Sequence, residues 1–262
     1  MFVTLGVLPP QPSLRRRLFR RRAKDTLSCS RVTLPNDFSF YHIQLTHDLT
    51  LPLPWDRIAQ AAGAFRTRLL LPQGMTVGQG TDAASFVPRA LPLRLLCNSS
   101  ARMLERMQLP ALQQRLCVFD PQGVLFDALD PFVPLVSQIR VVTDDLLAYG
   151  ETAARFRREY GLSLLLTPDD ADVSQSNLLI AADAADVPLT FEGVIFTNHP
   201  QPRMNATVLT PEPPTLPLDF DALCPPDVDP LQFAAAAYEL CAADTLGELW
   251  SPMKEQSTVN SF

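Results

Sequence analysis

Lysine is almost missing from this sequence. Only Lys24 and Lys254 occur among 262 residues, so chemistry that needs an internal lysine, such as a Schiff base or a phosphate clamp, is excluded. Cysteine is sparse and unpatterned: Cys29, Cys97, Cys117, Cys224 and Cys241 include no CxxC pair. That spacing argues against a zinc site or a redox dithiol and for free thiols, three of them inside apolar segments. The motifs GxSxG, HExxH and the P-loop are also lacking, and no metal site is expected. No apolar run nears the roughly 20 residues of a membrane span. The opening MFVTLGVLPP is too short and too proline-broken for a secretory leader. The reading is a cytoplasmic protein without a membrane partner.

What is present is apolar and unevenly charged. Hydrophobic residues make up 47% of the chain, enough to bury a sizeable core, and the net charge is −6. Residues 1–31 hold eight basic side chains and the single acid Asp25, whereas the remainder carries 14 basic and 27 acidic ones. Such an acidic body repels phosphates, so nucleic acid is not expected as a partner. The run SLRRRLFRRRAK reads as a disordered extension, which places a basic extension over residues 1–37 and makes residues 1–31 dispensable for folding.

Apolar periodicity organises the rest. FSFYHIQLTHDLTL reads as a strand or hairpin, PWDRIAQAAGAF as a helix and RTRLLLPQG as a short strand. These form a small α/β part over residues 38–92. A regular alternation follows, with strands at LPLRLLC, RLCVFD, IRVVTD, LSLLLTPDD, NLLIAAD and GVIFTN. Helices are expected at NSSARMLERMQLPALQQ, at PQGVLFDALDPFVPLVSQ and at DLLAYGETAARFRREYG, the last closed by Gly161. Near-continuous apolar strands between helices predict a parallel sheet covered on both faces. Residues 200–230 hold nine of the 25 prolines and read as an irregular strap. A helix from Asp229 follows, and the last dozen residues read as frayed. Residues 93–262 are therefore one Rossmann-like part with strap and C-terminal helix, and the fold class is α/β.

The stretch LCVFDPQGVLFDAL carries two resemblances. Strand Leu116–Asp120, a connection and strand Ile139–Asp144 form a unit of nucleotide-binding length, with Asp144 where a carboxylate meets a ribose. Over residues 116–198 the chain resembles the NAD-binding domains of dehydrogenases, and that resemblance implies NAD(P). The family's G-x-G-x-x-G is replaced by D-P-Q-G-V-L, in which Asp120 adds a negative charge and Pro121 removes an N–H donor. VFDPQGVLFDAL also resembles the first motif of the haloacid dehalogenase superfamily. That resemblance implies Asp120 as nucleophile, Gly123, Val124 and Asp127 in register, Thr143 as the second motif, and Asp169 with Asp170 for magnesium. Gln122 stands where the family has its general acid, and the family's lysine has only Arg155, Arg157 or Arg158 as a stand-in.

The sequence therefore points to a non-catalytic or cryptic ligand-binding protein on a degenerate Rossmann-like frame, with no cofactor expected. A small-molecule ligand is placed beyond the carboxyl ends of the strands, near Asp120, Gln122, Gly123, Thr143, Asp144, Asp183 and Asn198. The alternatives are an NAD(P)-dependent oxidoreductase with an atypical phosphate turn, a drifted magnesium-dependent phosphohydrolase, and a protein-interaction module. His42 and His47 read as partly buried polar groups, His199 as a loop histidine, and Asp183 and Asp186 as turn residues.

Overall fold

Side chains alternate in the first residues, Val3 and Leu5 against Phe2 and Thr4, and a strand results. The computed structural model describes residues 1–10, 25–33, 38–182, 191–199 and 206–256. The chain divides into two units: Met1–Arg89 with Leu216–Leu246, and Ala90–Thr215 with Gly247–Phe262. The α-helices among the described residues are α1 (Trp55–Ala62), α2 (Ala90–Met107), α3 (Gly150–Tyr160), α4 (Leu218–Asp221) and α5 (Pro230–Cys241). No helix among the described residues is long and apolar enough to cross a membrane.

The first unit holds β1 (Val3–Leu8), β2 (Thr26–Thr33), β3 (Ser39–Thr46) and β4 (Leu69–Leu70) in the order β2-β3-β1-β4. β1 runs parallel to β3 and β4, and β2 runs antiparallel to β3. Val3, Leu5, Ile43, Leu45 and Leu69 pack with Ile58, Ala59 and Ala62 of α1. The residues of opposite parity join α5: the Phe233 ring lies 5.6 Å from Phe2 and 5.0 Å from Phe40, edge-on to both. The N-terminal ammonium donates to the Leu240 carbonyl at the end of α5, at 2.9 Å.

This corrects the expectation for residues 1–37. β1 is an interior strand and Phe2, Val3 and Leu5 are fully buried, so a truncation before Val32 removes an interior strand and part of the core. The charge of the arginine run hid the apolar alternation before and after it. The run itself, 13–24, lies outside the described residues. The C-terminal helix also changes place. Its phenylalanine and alanines complete the first unit rather than the Rossmann-like one.

The second unit carries β5 (Arg115–Phe119), β6 (Gln138–Val142), β7 (Leu164–Thr167), β8 (Leu178–Ala181), β9 (Val194–Phe196), β10 (Thr207–Pro211) and β11 (Met253–Gln256). They form one sheet in the order β11-β10-β9-β8-β5-β6-β7. β5 to β10 are parallel, and β11 closes the edge antiparallel to β10. Numbered along the chain, the parallel strands follow 3-2-1-4-5-6, the Rossmann order. The protein is thus α/β, with a mostly parallel Rossmann-like sheet and a smaller N-terminal α/β part. Along β5, Leu116 and Val118 enter one core while Cys117 enters the core on the other face.

Four local readings differ from the structure, one being the strap over residues 200–230, which holds β10 (Thr207–Pro211) and α4 among its described residues. LPLRLLC is the first half of α2, because Leu93, Leu96, Cys97, Ala101 and Leu104 bury one helical stripe and Pro92 sits in the first turn. Residues 121–137 form no α-helix; Pro121, Gly123, Pro131 and Pro134 divide them into turns and one 3-10 turn, Asp130–Phe132. The C-terminal dozen contributes β11, which pairs Met253–Gln256 with β10.

Candidate functional site

β5 and β8 lie side by side, and from them the chain winds to opposite edges of the sheet. Ligands of such sheets sit beyond the carboxyl ends of the strands at this reversal. Here β5 is followed by Asp120, which is only 4% exposed. Its carboxylate accepts the Leu125 N–H at 2.8 Å and the Tyr149 O–H at 2.6 Å. Its carbonyl accepts the Gly123 N–H at 3.1 Å. Tyr149 is fully buried. Burial, with the charge of Asp120 and the hydrogen bond to it, holds the phenol well above its ordinary ionisation range. Cys97 is pushed up to about 12, mainly by burial.

Gly123 has a distinct task in this corner. Its φ is +66°, and a Cβ there would stand 3.0 Å from the Cβ atoms of Ala148 and Asp145. The glycine therefore lets the loop after β6 close onto the turn after β5. The Asp144 N–H donates to the Pro121 carbonyl at 3.3 Å, and the Thr152 hydroxyl to the Phe126 carbonyl at 2.9 Å. The two loops are laced together.

Of the residues named from sequence, Asp120, Gly123 and Thr143 turn inward. Thr143 is buried, and its hydroxyl accepts the Asp145 N–H at 3.1 Å. Gln122 and Asp144 face solvent, and Asn198 is half-buried beyond β9. Asp183 and Asp186 lie outside the described residues. A pyrophosphate needs open N–H groups at a helix N-terminus. At this turn the Leu125 and Gly123 N–H groups are spent on Asp120, and no α-helix begins between β5 and β6. A phosphoryl acceptor must be reachable, whereas Asp120 is enclosed. Arg155, one stand-in for the dehalogenase lysine, forks onto Asp130 at 2.5 and 2.8 Å.

Elsewhere the chemistry is quieter. His47 lies 2.9 Å from the Asp25 carboxylate and 3.3 Å from the Leu51 carbonyl. His42 faces the Thr4 hydroxyl at 2.9 Å, and burial lowers its pKa. No group of three or more metal-ligating side chains occurs among the described residues. Sequence reasoning missed Tyr149, which reads as the body of a helix starting at Asp145; α3 begins only at Gly150. No signal in the local pattern separates a tyrosine that seals a corner from one that faces solvent.

No family model matches this sequence, and no curated protein does. Among solved structures, the chain is similar to Δ1-pyrroline-2-carboxylate reductase of Thermococcus litoralis in complex with NADH and L-proline. There the TM-score is 0.31 and the identity 10%, over 40% of this chain and 36% of that one. It is also similar to L-tryptophan dehydrogenase of Nostoc punctiforme, with TM-score 0.33 and 13% identity, over 79% of this chain and 62% of that one. For ornithine carbamoyltransferase of Pyrococcus furiosus the TM-score is 0.26 and the identity 13%, over 69% and 59%. The chain thus spans less than two thirds of each of these proteins.

Proposed function

We propose that this protein is a non-catalytic binding protein on a Rossmann-like frame whose dinucleotide corner is closed by its own side chains. The observation that carries the reading is the Asp120 carboxylate, buried and holding both Leu125 N–H and Tyr149 O–H at the end of β5. A pyrophosphate brought there meets a negative charge, with the Leu125 and Gly123 N–H groups already taken. The dehalogenase chemistry fails on the same residue, since an enclosed carboxylate cannot attack a phosphoryl group.

A second reading, an NAD(P)-dependent oxidoreductase with an atypical phosphate turn, draws on the exposed Asp144 just beyond β6 and on the strand order. Calorimetric titration with NAD and with NADP separates the two. The closed corner leaves no binding heat and no thermal shift; a ligand at about 100 times its Kd adds about 2.7 kcal/mol. Saturable NAD or NADP binding that Asp144→Ala abolishes replaces the first reading by the second.

A further inference from the structure

The loops that close the corner contain no lysine, arginine or histidine. Residues 120–129, 143–149 and 168–170 carry Asp127, Asp144, Asp145, Asp169 and Asp170 besides the buried Asp120. The loops after β5 and β6 also expose large apolar side chains: Val124, Phe126, Leu146 and Leu147, the last 92% exposed. Because these two loops are laced through Gly123, Pro121 and Phe126, the apolar side chains lie on neighbouring, joined turns. Beside them runs a groove of about 440 Å³ with Phe126, Asp127, Glu151 and Thr152 on its walls. Arg155 and Arg158 also line it, paired with Asp130 and Glu159, and Arg94 of α2 reaches the Asp127 carboxylate at 3.7 Å. The unanswered acidic charge therefore lies towards Asp144 and Glu151.

Exposed apolar clusters with a charged rim are recognition surfaces. The sign of the rim selects the partner. An anion is repelled, and a wholly apolar partner strips water from the carboxylates without answering their charge. A small-molecule ligand calls for an enclosed concavity, whereas Leu146 and Leu147 are exposed side chains of a turn. An extended or helical segment that interleaves cations with apolar anchors meets each condition.

We propose that the carboxyl end of the larger sheet docks a basic amphipathic segment of another protein. Its apolar anchors lie on Val124, Phe126, Leu146 and Leu147, and its arginines or lysines face Asp144 and Glu151. The inference rests on the closed corner and extends it from what the site refuses to what it takes.

The test is fluorescence anisotropy of the full chain with a labelled synthetic peptide of arginine and leucine at helical spacing. Two control peptides replace all arginines by glutamine, or all leucines by glycine. The arginine–leucine peptide binds saturably, added salt weakens it, and both controls bind weaker. Leu147→Ser combined with Asp144→Asn lowers its affinity by about tenfold or more while the melting temperature stays unchanged, since both side chains are exposed. No binding, equal binding of either control, or equal affinity of the double variant overturns the docking surface. Nucleotide titrations on the same samples report separately on whether the corner is closed.

Discussion

At the scale of the residue, the decisive feature is a carboxylate held out of water. A buried carboxylate is stable only when its lone pairs are answered, and Tyr149 and Leu125 answer those of Asp120. Tyr149→Phe leaves the shape and removes one donor, so it costs about 1–3 kcal/mol, read as a lower denaturant midpoint. The same pair sets an alkaline limit. The folded-state pKa of Tyr149 is raised above its ordinary 10, so the folded state holds this proton more tightly than the unfolded chain does. Its contribution is complete below about pH 10 and is lost as pH rises beyond it. Stability measured between pH 8 and about 11 falls more steeply in the wild type than in Tyr149→Phe; parallel curves contradict the pairing. The sequence marked Asp120 as important and misassigned its task, because a carboxylate at the end of a strand looks the same whether it faces a ligand or a tyrosine from the next loop.

At the scale of the element, α5 shows where local signals suffice. Asp229 caps it by accepting the Gln232 N–H at 2.9 Å, and Pro230 occupies its first turn. Ala234 to Ala237 are buried and let the helix approach the sheet closely. Its place against β1 and β3, across more than half the chain, is carried mostly by the phenylalanine cluster. Phe233→Ala removes a fully buried ring and costs about 3–5 kcal/mol; Phe233→Leu costs less. Denaturant unfolding with an unchanged slope checks both, and a cost under about 1 kcal/mol for the alanine variant places the ring outside the core. The segment 121–137 shows the opposite case. Its apolar residues suit a helix stripe, and its prolines and glycine forbid one, so the same side chains are buried from turns.

At the scale of the whole molecule, the first unit is assembled from two segments far apart in the chain. Residues 1–89 supply its sheet and residues 216–246 its second covering helix. Expressed alone, residues 1–89 expose the Phe2, Phe38 and Phe40 cluster that Phe233 otherwise covers. That fragment is expected to be unfolded or aggregated by circular dichroism and light scattering. A cooperative melt of the fragment contradicts this account. Its fold waits on contacts far apart in sequence, the kind whose closure is costly in entropy.

The sequence by itself determined the fold class, most strands of the larger sheet, helices α1, α3 and α5, and the absence of the dinucleotide fingerprint. These rest on local quantities: period, glycine and proline placement, and the identity of a few side chains. It also marked the corner at Asp120 and Gly123. Only the tertiary structure decided that β1 lies inside a sheet, that α5 returns to that sheet, and that Asp120 binds Tyr149 rather than facing outward. Each of these joins residues from different loops or distant segments, Asp120 to Tyr149 and Phe2 to Phe233. Period and propensity are properties of neighbours along the chain. Burial is a property of neighbours in space, and it turned a strand-end aspartate from a candidate ligand group into the seal of its own site.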